Sequence, residues 1–206
     1  MRSVIQDFEE ALSQFTGAPH VACVDSCSNG IFLALKALEI KNTQIQIPDR
    51  TYVSVLNAIL NSGNHPALKD EYWNKSYQLK GTPIYDYAVG FEPNCYVPGE
   101  VQVLSFQQKK SLPIGKGGAV LSDNKELIEH IRTLSFDGRD YSTFYRDQNQ
   151  KYHVPAYHMN ITPEQCAKGL LILQSICEGK RPISFKDSED YPKLSVCTNF
   201  HVDTLH

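Results

Sequence analysis

Short apolar runs alternate with amphipathic segments along most of the chain, and this alternation limits the folds open to it. "VACVD" (21–25) reads as a buried strand, and "SNGIFLALKALEI" (28–40) as a helix with one apolar face, entered through a serine able to cap it. The pattern repeats: "IQIP" (45–48) precedes "TYVSVLNAILNSG" (51–63), an amphipathic segment closed by a glycine. "TPIYD" (82–86), "VQVLSF" (101–106) and "GAVLSD" (118–123) supply further strands, while "NKELIEHIRTL" (124–134) and "TPEQCAKGLLILQSI" (162–176) supply helices. Interleaved strands and helices predict an α/β fold in three layers, a largely parallel sheet with helices on its faces. After residue 178 the chain turns polar and proline-broken, with one short strand predicted around "LSVCTNF".

At 206 residues with 41% hydrophobic content, the chain can bury one substantial core. Its formal net charge of −3 offers no overall basic field for nucleic acid or an anionic membrane. "MRSVIQDFEEALSQF" mixes acids with apolar residues at helical spacing, unlike a signal peptide, and no run approaches transmembrane length. The 6 cysteines are too scattered for a disulfide scaffold, and Cys23 and Cys27 lack the second pair that a zinc site needs. These features predict a cytoplasmic protein with no metal, nucleic-acid or membrane partner.

In an α/β sheet, ligands collect beyond the carboxyl ends of the strands. Asp25 to Ser28, Asp49 to Tyr52, Asp86, and Ser105 to Lys110 all fall there. "SFQQKKSLPIGKGG" (105–118) puts two lysines before a glycine cluster. Two adjacent ammonium groups lower each other's pKa and so favour the neutral, nucleophilic amine; the pair also suits an ordinary solvated loop. A Walker loop does not fit, because Lys116 is followed by Gly117 where that motif needs serine or threonine.

Taken singly, Tyr52 suits a core aromatic, Ser28 a helix cap, Asn160 a turn and Asp86 a strand-end acid. Together these strand-end residues are the parts that hold pyridoxal 5'-phosphate: lysine for the aldehyde, carboxylate for the pyridine nitrogen, helix N-terminus for phosphate, aromatic face for stacking. With those parts in order, residues 8 to 176 resemble the DegT/DnrJ/EryC1/StrS aminotransferases, fold-type I enzymes that use this cofactor to aminate nucleotide-linked keto-sugars. "FEEALSQFTGAPHVACVDSCSNGIFLALKAL" resembles the phosphate-binding opening segment, which implies cofactor contacts for Cys27, Ser28 and Asn29. "IPDRTYVSVLNAI" is similar to the motif with the ring-stacking aromatic, here Tyr52, and "PIYDYAVG" to the one with the pyridinium aspartate, here Asp86. "LSFQQKKSLPIGKGG" resembles the stretch in which a phosphate-contacting serine, Ser105, stands five residues before the cofactor-binding lysine, Lys110. Lys109 then has no covalent role. "YHMNITPEQCAKGL" resembles the stretch whose asparagine, here Asn160, reaches the neighbouring subunit's site, which implies a homodimer.

The resemblance implies Lys110 and Asp86 as catalytic residues, a glutamate-like amino donor and a sugar nucleotide acceptor. It implies a large domain over 1–178 and a vestigial C-terminal segment over 179–206, largely without the family's small domain. Only a short stretch separates "HPALKD" from "IYDYA", so the sheet is expected to be trimmed there. Val89 stands where the family commonly has glutamine or histidine, and Lys116 where "GEGG" has its acid. His153 and His158 read as structural or substrate-loop residues. Two other classes stay open from the residues alone: a silent, dimeric binding or scaffold protein, and a pyridoxal-phosphate enzyme acting on a smaller substrate.

Overall fold

The computed structural model describes residues 3–139, 151–197 and 203–205. The chain enters through α1 (Val4–Thr16), started by a capping box in which Ser3 and Gln6 satisfy each other's backbone N–H groups. Then follow β1 (His20–Val24), α2 (Cys27–Ala37), β2 (Gln44–Pro48), α3 (Val53–Asn61) and β3 (His65–Lys69). A hairpin of β4 (Tyr77–Gln78) and β5 (Ile84–Asp86) leads to β6 (Val101–Ser105), β7 (Gly118–Ser122) and α4 (Lys125–Ser135). After α5 (Pro163–Cys177) come a single 3₁₀ turn (Ser188–Asp190), α6 (Leu194–Cys197) and β8 (Asp203–Leu205).

One sheet has the order β1-β7-β6-β5-β4 and a second the order β2-β3-β8. Paired backbone hydrogen bonds between Gln46 and Lys80, at 3.2 and 2.9 Å, join their edges. The three layers are present: α2, α3 and α4 cover one face, α1 and α5 the other. Strand alternation serves both, since Val21 and Cys23 of β1 face the α1/α5 side while Ala22 and Val24 face α2. On the α1/α5 side, Gly169 lets α5 approach α1 closely; a Cβ there would lie 2.5 Å from the Phe8 ring.

The expectation of a largely parallel sheet is corrected: the sheet is mixed. β7 runs antiparallel to both β1 and β6, and β4 antiparallel to β5. Parallel neighbours need a long crossover, usually a helix, and neither 106–117 nor 79–83 contains one. The trimmed region is thus a tight hairpin, turned at Gly81 with φ +95°. The strand expected around "LSVCTNF" is also corrected: 194–197 forms a helical turn, 198–200 lie outside the described residues, and the strand is β8, parallel to β3. Among the described residues no helix is long and apolar enough to cross a membrane.

Candidate active site

The loops leaving β1, β2, β5 and β6 converge on a cleft of about 450 Å³. Cys27, Ser28, Tyr52, Asp86, Ser105 and Lys110 all line it. Their positions follow from local structure. Ser26 caps α2, its hydroxyl accepting the Asn29 N–H at 3.2 Å, so Ser28 is free for another use and donates to the Ser54 hydroxyl at 2.6 Å. The α2 N-terminus packs so tightly against β7 that a Cβ on Gly118 would lie 2.6 Å from the Cys27 nitrogen, which explains the second glycine of "KGG". Such a helix start attracts anions through its unpaired N–H groups and dipole. Tyr52 heads α3 with 62% of its surface exposed, so its ring is a cleft wall and not core.

Asp86 sits at the carboxyl end of β5, in register with Val103 of the parallel strand β6, which ends at Ser105. Its Oδ1 accepts the Ala88 N–H at 2.7 Å and its Oδ2 accepts the Tyr77 hydroxyl at 2.9 Å. Since Tyr77 spends its proton on Asp86, the Thr51 hydroxyl, 2.5 Å away, donates to the Tyr77 oxygen. The Cys27 sulfur lies 4.0 Å from Oδ1. Burial pushes the Asp86 carboxyl above its ordinary value, partly offset by these donors and by the Lys110 charge. Burial likewise pushes the Cys27 thiol well up, so it stands there as a neutral group.

Lys110 follows a tight turn in which its N–H bonds the Gln107 carbonyl at 2.9 Å and the Lys109 N–H bonds the Gln107 side chain at 2.8 Å. The turn leaves Lys109 exposed and directs Lys110 inward. Desolvation lowers the Lys110 pKa, opposed by Asp86 and Cys27; the cation that lowers it further is Lys186, not Lys109. Lys116 is held by Asp25 at 3.1 Å, so the lysine that replaces the family's acid meets an acid instead.

The structure does not bring every expected residue into the cleft lining. The Asn29 amide faces Asp25, at 2.7 Å. Asn160 bridges β1 through Val24, and its buried side-chain oxygen has no partner among the described residues. His158 pairs with Asp137 at 3.1 Å and, like His153, is not among the lining residues. Cys23 and Cys27 belong to opposite faces of the sheet.

Sequence reasoning missed Tyr77 and Trp73, and the strap 183–195 that brings Lys186 and Tyr191 into the lining. The hairpin signal was present as "YQLKGTPIYD", two short β-rich runs around a glycine. The strap had no comparable signal. Ser111 and Ser184 exchange side-chain and backbone bonds at 3.0 and 3.1 Å, and the Ser188 N–H donates to the Trp73 carbonyl at 3.1 Å. Farther along, Arg50 donates to the Tyr191 carbonyl at 2.9 Å, and the Asp49 carboxylate accepts both the N–H and the hydroxyl of Ser195, at 2.8 and 2.6 Å.

A mixed α/β large domain with a lysine, a buried carboxylate and a helix N-terminus in one strand-end cleft defines the class: the fold of the sugar aminotransferases. The solved structure of the putative sugar aminotransferase Spr1654 from Streptococcus pneumoniae, in its pyridoxal-phosphate form, superposes with a TM-score of 0.68 at 16% identity, covering 86% of this chain and 60% of that one. AtS13 from Actinomadura melliaura gives 0.69 at 23% identity, covering 85% and 60%. The spore coat polysaccharide biosynthesis protein SpsC of Bacillus subtilis (strain 168) is 27% identical over 81% of this chain and 55% of its own length. The chain therefore spans about half the length of this relative. The model of the DegT/DnrJ/EryC1/StrS aminotransferase family matches residues 2–80 and 97–180, and the chain belongs to that family. The match is interrupted across the segment that carries Asp86, so the place of this carboxylate rests on geometry.

The donor set fits pyridoxal phosphate, the family's cofactor. An inward lysine amine, a buried carboxylate, a helix N-terminus and an exposed aromatic ring share one cleft of sufficient size.

Proposed function

We propose that the chain is a cytoplasmic pyridoxal-phosphate aminotransferase that carries an amino group from a glutamate-like donor to a nucleotide-linked keto-sugar. The observation that carries this reading is the meeting of Lys110 and Asp86, from the ends of adjacent parallel strands, in the cleft that the α2 N-terminus also lines. Bound there, the cofactor supplies an aldehyde carbon and an electron-accepting ring. Cys27 and Ser28 at the start of α2, with Ser105, would hold its phosphate, and Tyr52 would cover its ring; Asn29, turned to Asp25, would act only by fixing that helix start. Asp86 would favour a proton on the ring nitrogen.

Lys110 would hold the cofactor's aldehyde carbon through its amine, and as a free amine it would carry a proton to and from the substrate carbon. Its lowered pKa favours the neutral amine that both tasks need. Residues 1–178 form the cofactor-binding unit in this reading. The assembly is a homodimer in which Asn160, which does not line its own subunit's cleft, completes the neighbour's site. The 6 unpaired cysteines accord with a reducing compartment.

The test is an absorbance spectrum after adding pyridoxal phosphate. Wild type and Lys109→Ala show the visible band of lysine-bound cofactor, Lys110→Ala does not, and glutamate converts the band to that of the pyridoxamine form. A wild type without the band ends this reading, and a band unmoved by glutamate ends the transaminase assignment.

A further inference from the structure

The cleft holds more positive charge than its own carboxylates balance. Lys109, Lys110, Lys116 and Lys186 line it, against Asp86 and Asp190. Lys116 is already paired with Asp25 at 3.1 Å. Asp86 is engaged by Tyr77 and Ala88. Asp190 approaches Lys186 only to 3.9 Å, the outer limit of an ion pair, while its other oxygen accepts the Asp187 N–H at 3.3 Å. Lys109 has no ion-pair partner among the described residues.

Lys186 reaches the cleft because the strap is anchored on both sides of it. Its own carbonyl accepts the Lys75 N–H at 3.2 Å, Ser184 is tied to Ser111, and Tyr191 packs its ring 5.6 Å from that of Trp73. The Lys186 side chain stays 44% exposed, open to a ligand entering the cleft. It is close enough to Lys110 to act on that amine's proton affinity. Two cations facing one concave space repel unless an anion lies between them, and a partly desolvated ammonium binds such an anion more strongly than a surface lysine does.

We propose that the strap 183–195 is a substrate-recognition element of this chain, and that Lys186, with Lys109 beside it, binds an anionic group of the substrate. This rests on the aminotransferase reading, which brings two such groups to the cleft: the side-chain carboxylate of the amino donor and the diphosphate of the sugar nucleotide. Both offer anionic oxygens to an ammonium donor, and Lys186 serves one of them.

The experiment titrates cofactor-loaded wild type, Lys186→Ala and Lys186→Arg with glutarate and, separately, with uridine diphosphate, by calorimetry. Lys186→Ala is expected to weaken one probe about tenfold, the loss of a charge-assisted hydrogen bond. Lys186→Arg recovers most of that loss, because the charge is restored. Selective loss of glutarate assigns the subsite to the donor carboxylate, and selective loss of uridine diphosphate assigns it to the acceptor. The cofactor band, retained in Lys186→Ala, shows that the variant is folded and the cofactor site intact. Unchanged affinity for both probes with the band retained, or wild type binding neither probe, overturns the proposal and leaves the cofactor assignment standing. If wild type shows no cofactor band, the aminotransferase reading fails first, and the same titrations on the unloaded protein decide the anion subsite by the same criteria.

Discussion

Ser28, Tyr52, Ser105 and Lys110 stand within a few residues of a helix start or strand end, inside the continuous parts of the family match. Across the cleft, Lys186 and Tyr191 come from a strap beyond the end of that match, and Asp86 from the hairpin that interrupts it. The first group is positioned by regular backbone structure. The second is positioned by hydrogen bonds and ring contacts between segments far apart in the chain. In the proposed function the first group would hold the cofactor, on a part of the fold that cannot shift without breaking the sheet, and the second, Asp86 apart, would meet the substrate, on segments that can change without disturbing that sheet.

Lys110→Ala breaks the first wall most severely. The turnover measured with glutamate and a keto-sugar nucleotide should fall at least about 10²–10⁴-fold, the range for a lost acid–base group, whereas Lys109→Ala keeps the cofactor band and loses far less turnover. A comparable loss in Lys109→Ala would show that the turn at Gln107 does not separate the two lysines.

Asp86→Asn comes next, with turnover reduced on the order of 10²–10³-fold for removing a fixed charge opposite the reacting centre. It carries a pH signature as well. Burial raises the folded Asp86 pKa above its ordinary 3.8, so the folded state favours the protonated carboxyl. That contribution to stability is fully present below the unfolded value and is lost as pH rises through the folded value. Asparagine cannot ionise, so the melting temperature of Asp86→Asn, without cofactor, gains on wild type as pH is raised above about 4. A constant difference across that window would mean that Asp86 is not desolvated as its position implies.

Tyr77→Phe tests the link between hairpin and site. It removes one hydrogen bond to a charged group, worth about 1.5–3 kcal/mol, and should lower turnover roughly tenfold with the cofactor band still present. Because the Tyr77 hydroxyl holds the Asp86 pKa down, its loss moves the pH window of the stability effect upward. Asp49→Ala loosens the strap and leaves the cofactor wall alone. Hydrogen exchange should speed up across 183–195, with KM for one substrate rising several-fold and the cofactor band unchanged. Unaltered exchange there would show that the Ser195 anchor is dispensable.

Much of the proposed cofactor wall was legible because it depends on local order. The "VACVD" strand and the α2 helix behind a serine cap are encoded in neighbouring residues, and the interval from Ser105 to Lys110 was legible through the family resemblance. Even there, local reading left choices open: which serine caps α2 was settled by Ser26 accepting the Asn29 N–H, which freed Ser28. The family resemblance separated Lys110 from Lys109, but the cation acting on it was not the adjacent lysine. It was Lys186, carried in from the strap.

By itself the sequence determined most of the strands and helices, the faces they bury, and much of the set of residues at the strand ends, because hydrophobic period and turn chemistry act over a few residues. Tertiary structure decided that β7 returns antiparallel between β1 and β6, that Tyr77 grips Asp86, and that Lys186 enters the cleft. Periodicity specifies which face of an element is buried, and the partner on that face is chosen only when distant segments compete to pack there.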